Sequence, residues 1–291
     1  MDVERAARWV ALPAGVLAIS TSSILIRLTV SAPLTTATYR MFVAAAILLA
    51  VAAIAGFRDL RALDRRSLGL LGLSGGLLGI HFALWTTALF HTTVASAVFL
   101  VDTHPVIVAL LARWVLAEHT RVSTWVGIGL TMAGGALIAT SDFRAGVDAL
   151  LGDAMAIGAA AAFAGYLVIG RHVRQELSTP SYAGSVYALA GVVLLVLALA
   201  SGSELVPASP RDPLIWLALV LIPTLAGHTV FNWALRHVPA SIVGVSILGE
   251  PVISTTLAWL VLGEHPTPSA LVGGLIVLIG LFVALRSRNE P

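Results

Sequence analysis

The chain has 291 residues, 58% of them hydrophobic and only 11% charged, at a mean hydropathy of +0.95. An ordinary soluble domain carries about 25% charged residues, so this composition excludes one and implies a polytopic membrane protein. The formal charge of +2 involves 17 basic residues, all arginine and too dispersed for a nucleic-acid surface, and the lack of cysteine removes disulfides and thiolate metal chemistry.

With about 20 apolar residues as the length that crosses a bilayer, the pattern predicts an all-α chain of ten transmembrane helices joined by short loops. They are Trp9–Leu28, Thr35–Phe57, Ser67–Phe90, Thr93–Leu116, Val122–Ser141, Leu150–His172, Pro180–Ser201, Pro213–Leu235, Pro239–Leu262 and Pro268–Leu285. The charged start, Met1 to Arg8, leads into a full-length apolar run, which reads as a first span and not a removable signal. Ser20, Thr21, Ser22 and Ser23 fall in the middle of that span, where hydroxyls can return to preceding helical carbonyls and small residues favour close helix approach.

The segment Thr93 to His119 has an echo. Sliding the sequence by 146 positions lays Pro105 on Pro251, His104 on Glu250, Glu118 on Glu264, and Gly127 and Gly134 on Gly273 and Gly280. This tandem duplication divides the chain into five-helix repeats at 1–145 and 146–291. Arginines cluster at the N-terminus and at every second junction: Arg5, Arg8, Arg58, Arg61, Arg65, Arg66, Arg113, Arg121, Arg171, Arg174, Arg236, Arg286 and Arg288. The other side has Arg27, Arg40, Arg144 and Arg211, so both termini are expected in the cytoplasm. Five spans per repeat is odd, and the second repeat must therefore enter the membrane inverted. Inverted repeats can exchange unequal conformations, which is the requirement for alternating access around a midplane site.

Ionisable residues in hydrocarbon cost about 2.5–3.5 kcal/mol on insertion scales and mark candidate function. In the third helix Ser74, Leu78, His81, Trp85 and Ala88 recur at helical spacing, and the eighth offers Thr224, His228 and Asn232. In the fourth, Asp102 and His104 are two residues apart and would point about 200° from each other. Asp102, with Ser96, Phe99 and Val106, forms the richer side, which leaves His104 facing a neighbouring helix. In the ninth, Ser246, Glu250 and Ser254 share a face. Pro105 and Pro251 release the carbonyls of Val101 and Ile247 and supply hinges. Trp85, Phe99 and Tyr166 could wall an aromatic pocket, whereas Trp9, Trp125 and Trp216 near span ends read as interfacial anchors. Glu118 and Glu264, at helix exits, read as solvated carboxylates.

Gly72-Leu73-Ser74-Gly75-Gly76 fits the G-x-S-x-G pattern, and with His228 as base it would make an intramembrane serine hydrolase. Gly69, Gly72, Gly76 and Gly79 read better as a helix-packing face. No nucleotide-binding loop and no metal-binding motif is present, so no cofactor or metal is expected and transport would be driven by gradients.

The two five-helix halves each close on a tryptophan, a short run and a glutamate (Trp114 to Glu118; Trp259 to Glu264). With Tyr39-Arg40 early in the second helix and the glycine-spaced fifth and tenth helices, the chain resembles the drug/metabolite transporter superfamily, and more closely its EamA-type exporters. Within that group it is similar to aromatic amino-acid exporters of the YddG type, found in bacterial inner membranes. The resemblance implies no enzyme but export of aromatic and other apolar amino acids through a cavity lined by the third, fourth, eighth and ninth helices. Carried onto this sequence, it points to His81, Trp85, Phe99, Asp102, Tyr166, His228, Asn232 and Glu250 as substrate-binding residues. Protons are a second expected partner, since a buried carboxylate and imidazoles can titrate near neutral pH. Glycine faces on the fifth and tenth helices are compatible with a monomer or a weak homodimer. A transporter of another metabolite or drug-like compound is the alternative within the same fold.

Overall fold

The computed structural model describes residues 3–140, 146–263 and 265–286. Glu264, Arg144 and the junction at 141–145 lie outside them. Among the described residues ten helices are long and apolar enough to cross a membrane, and there is no strand. They are α1 (Trp9–Arg27), α2 (Pro33–Ile54), α3 (Arg65–His91), α4 (Val94–Val115), α5 (Val122–Ala139), α6 (Val147–Val173), α7 (Thr179–Ala200), α8 (Asp212–Ala234), α9 (Ala240–Leu262) and α10 (Pro268–Leu285). Helices satisfy every backbone N–H and C=O within the segment, as hydrocarbon demands. Side chains cap several starts: Asp64 accepts the Ser67 N–H at 2.7 Å, and Thr93 accepts the Ser96 N–H at 3.1 Å.

Four spans are irregular in their interiors. Helix α1 turns at Ser20 and Thr21, α4 at Asp102 and Thr103, and α9 at Leu248 and Gly249. At the first break the hydroxyls behave as expected, Ser20 Oγ donating to Val16 O at 2.7 Å and Thr21 Oγ1 to Ala18 O at 2.8 Å. Helix α8 winds as a π-helix over Val220–His228 around Pro223, which has no N–H to give the ladder.

Equivalent helices of the two halves run antiparallel. In α4 and α9, Val94–Val101 packs on Glu250–Leu262 while Ala240–Ile247 packs on His104–Val115. In α2 and α7, Gly184 meets Leu49 and Gly191 meets Phe42. In α5 and α10, Gly127 meets Gly280 and Ala284, and Gly134 meets Gly273 and Val277. The ten helices are therefore two inverted five-helix repeats. Those α5 and α10 glycines are consumed inside the chain: a Cβ at Gly134 would lie 2.5 Å from the Gly273 carbonyl oxygen, and one at Gly273 2.5 Å from that of Gly134. The face read as open to self-association is the seam joining the halves.

Other expectations change too. Gly75 and Gly79 of α3 pack against Leu189 and Val193 of α7, whereas Gly69, Gly72 and Gly76 have no neighbour within 4 Å. Trp216 is not an interfacial anchor; it is 5% exposed, stacks on Tyr39 with centroids 4.4 Å apart, and donates to Thr36 Oγ1. Arg40 is not at a helix end. It lies seven residues beyond Pro33, about 10 Å along α2 at 1.5 Å per residue, and is completely buried.

Candidate functional site

A cavity of about 30 Å³ lies where the breaks of α1, α4 and α9 meet α3, α6 and α8. Its walls are Ile19 and Ser22 of α1, His81 and Trp85 of α3, Val101, Asp102 and His104 of α4, Phe163 of α6, His228 of α8, and Ile247 and Glu250 of α9. That volume accommodates about one water, so a substrate enters only when the walls part.

Of the residues singled out from the sequence, His81, Trp85, Asp102, His228 and Glu250 are brought together on this wall. Tyr166 and Asn232 stand one layer behind it. The Tyr166 hydroxyl bonds Asn232 Oδ1, and Asn232 Nδ2 donates to Tyr187, which in turn bonds Thr229. The fully satisfied chain ties α6, α7 and α8 together. Phe99 is apart: its ring lies against Gly135 of α5, 2.7 Å from where a Cβ would be. Pro105 and Pro251 are buried beside the α4 and α9 breaks, each in the first turn of the second half-helix.

The break changes what α4 can present. A continuous helix would turn His104 away from Asp102, but with the chain turning at Asp102 and Thr103 both side chains reach the cavity, His104 Nδ1 standing 4.0 Å from Asp102 Oδ1. The carbonyl that Pro105 frees is used, since His104 Nδ1 donates to Val101 O at 3.0 Å. His81 Nδ1 likewise donates to Ala159 O at 3.0 Å, which fixes its ring. Phe163 organises the imidazoles, its ring lying 4.7 Å from His81, 4.9 Å from His104 and 5.8 Å from His228. Asp102 Oδ2 and His228 Nδ1 are buried without a partner, as groups awaiting a ligand or water would be. His104, Ser22, Phe163 and the nearby Arg40 were missed in the sequence. For Arg40 the signal existed, an arginine inside an apolar span.

Hydrogen-bonded arginines cross-link helix ends on both faces. On the face that carries the N-terminus, Arg171 donates to Glu118 Oε1 at 2.9 Å and to Leu235 O at 2.7 Å, and Glu118 Oε2 accepts the Ala240 N–H at the start of α9. Glu118 is thus a cross-brace of four elements, not a solvated cap. On the opposite face Arg27 donates to Thr92 O at 2.8 Å, and Asp212 accepts the Val30 and Ser31 N–H groups. Thr92 is the first residue past α3 and Leu235 the first past α8. The two arginines, on α1 and α6, therefore hold the ends of the corresponding helices α3 and α8 on opposite faces.

Ser74 has no hydrolase geometry: its hydroxyl is buried and bonded to Tyr182 at 2.7 Å, joining α3 to α7. Relatives agree with a transport role, and a solved structure shares the fold. The chain is 28% identical over 215 residues to the "Uncharacterized transporter YwfM" of Bacillus subtilis, covering 74% of this chain and 72% of that one. It is 26% identical over 254 residues to a "Probable terminal-alkyne amino-acid exporter" of Streptantibioticus cattleyicolor, covering 85% and 82%. To the "Pseudopaline exporter CntI" of Pseudomonas aeruginosa it is 25% identical over 233 residues, covering 78% of each. A solved crystal structure 20% identical shares the fold at a TM-score of 0.76 over 96% of both chains. The EamA-like transporter family matches residues 9–140 and 150–286, one stretch per inverted repeat, and the chain is a transporter belonging to that family, not an enzyme.

Proposed function

We propose that this protein exports small amphipathic metabolites, aromatic and other apolar amino acids foremost, across a bacterial inner membrane by alternating access. The observation that carries the reading is the polar cavity at the α4 and α9 breaks, with a repeat-related arginine latch on each face. Releasing one latch while the other holds opens the cavity to one side, and repeat symmetry makes the second state the mirror of the first. The halves 1–145 and 146–291 move about the breaks, with Pro105 and Pro251 as hinges. The arginine distribution favours cytoplasmic termini, which makes the Arg171 latch the cytoplasmic one. The chain works as a monomer or a weak homodimer, and the internal α5 and α10 glycine seam means that those glycines do not call for a second copy. Amino acids as substrates are supported by an exporter of that description among the relatives and by the mixture of imidazole, carboxylate and aromatic walls.

Counterflow in proteoliposomes with a labelled panel of the twenty amino acids tests this. Aromatic and apolar members should exchange fastest, and a panel in which none exchanges would end the amino-acid reading. Proton coupling is a second reading, favoured by two carboxylates, Asp102 and Glu250, on one enclosed wall. Full pH-gradient dependence in an Asp102→Asn, Glu250→Gln double variant would rule it out.

A further inference from the structure

A guanidinium deep in a membrane domain is costly unless an anion balances it. Arg40 is completely buried, and among the described residues no carboxylate lies within 4.0 Å of it. Its direct partners are neutral, while Glu250 acts on it through space without touching it: Nε donates to Thr224 Oγ1 at 2.7 Å, Nη1 to Ser22 Oγ at 3.0 Å, and the group lies over the Phe82 ring at 4.5 Å. Nη2 donates to nothing. Ser22 lines the cavity, and so does His228, whose ring meets Phe82 at 5.3 Å and whose Nδ1 is also unpartnered. The cation therefore sits one side chain behind the cavity wall, beside a second unused nitrogen. Asp102 and Glu250 project into the same cavity from the α4 and α9 breaks. The site thus combines a buried cation behind its wall with two carboxylates on it.

We propose that Arg40 is the carboxylate anchor of the transport site: as the wall around Ser22 parts, the free Nη2 takes the carboxylate of a zwitterionic α-amino acid, whose ammonium group faces Asp102 and Glu250. This rests on the amino-acid reading above and adds the group that is recognised. A planar guanidinium matches a carboxylate in a fork, which an imidazole does not. A zwitterion also brings no net charge into a low-dielectric core, whereas an amine without the carboxylate brings one.

The test uses proteoliposome counterflow with the amino acid that exchanges fastest in the panel, compared with its carboxamide and with its decarboxylated amine. Wild type should prefer the acid over both by about tenfold or more, the loss expected when a charge-assisted hydrogen bond is missing. In Arg40→Gln the preference should fall to within about twofold, and Arg40→Lys, which keeps charge without the fork, should be intermediate. If Arg40 only braces α1, α2 and α8, acid and carboxamide fluxes fall together and the ratio persists, which overturns the assignment. Wild type exchanging acid and carboxamide equally overturns it as well, with the amino-acid reading intact. If Arg40→Gln does not fold, the Arg40→Lys ratio decides, and an unchanged ratio overturns it. Exchange of no amino acid by wild type removes the export reading itself.

Discussion

Replacing Gly134 by alanine probes the seam between the repeats. The added Cβ would stand 2.5 Å from the Gly273 carbonyl oxygen and 2.8 Å from the Val277 nitrogen, both backbone atoms that cannot rotate aside. Ordinary contact begins at 3.4 Å, so α5 and α10 must separate by about 3.4 − 2.5 = 0.9 Å. A gap of that size forfeits about a quarter to a half of each dispersion contact across the seam, and overpacking of this kind costs about 1–3 kcal/mol. The same helix supplies the control. Gly129 has no neighbour within 4 Å, and there alanine should be neutral or stabilise by up to about 1 kcal/mol through helix propensity. Helix propensity favours both alanines alike, so the two variants should differ by the overpacking cost, about 1–3 kcal/mol, in detergent unfolding followed through the seven native tryptophans. Equal unfolding midpoints for Gly129→Ala and Gly134→Ala would refute the claim that backbone contact across α5 and α10 holds the halves together.

Ser74→Ala should exchange substrate within about twofold of wild type yet unfold about 1 kcal/mol more easily, because the Tyr182 hydroxyl loses its partner; abolished transport with unchanged stability would contradict this. The latches can be tested in a chain that has no native cysteine. With Ile247→Cys as a reporter on the cavity wall, Arg171→Ala should raise labelling by an impermeant maleimide from the N-terminal face, and Arg27→Ala from the opposite face. Labelling that stays low in both vesicle orientations would disprove the latch assignment. In the loop between α2 and α3, burial works to raise the Asp59 carboxyl, but hydrogen bonds from Ser178 and Ser181 outweigh it and hold it below the usual range. A depressed folded value stabilises above the unfolded value of about 3.9 and loses that stabilisation as pH falls through the folded one. The gap between the unfolding midpoints of wild type and Asp59→Asn should therefore begin to close as pH falls below about 4, and a gap that stays constant as pH is lowered further would argue against it.

Span number, inversion and the central role of α4 and α9 were legible because they depend on apolar length, parity and a duplication offset, none of which needs side-chain geometry. The site was only partly legible, since side-chain direction was inferred from an unbroken 3.6-residue winding. His104 was assigned to a neighbouring helix on that assumption, and the Asp102 and Thr103 break reverses it. Phe99 shares the helical face of Asp102 on paper, yet its ring fills the notch left by Gly135, a pairing that only tertiary packing creates. Arg40 was passed over because Tyr39 and Arg40 lay near an expected helix start; counting from Pro33 would have carried it into the apolar interior.

The π-helical stretch of α8 means that the halves are not interchangeable residue for residue. His228 answers His81 across the cavity at an offset of 228 − 81 = 147, one more than the offset that aligns Pro105 with Pro251. A wider turn takes up about one additional residue per revolution, so α8 over Val220–His228 accommodates a residue that a regular helix such as α3 would not. Any symmetrised version built by copying the α3 sequence into α8 at the uniform spacing would place a histidine at Gly227, where a Cβ would stand 2.5 Å from Ile19 Cγ2.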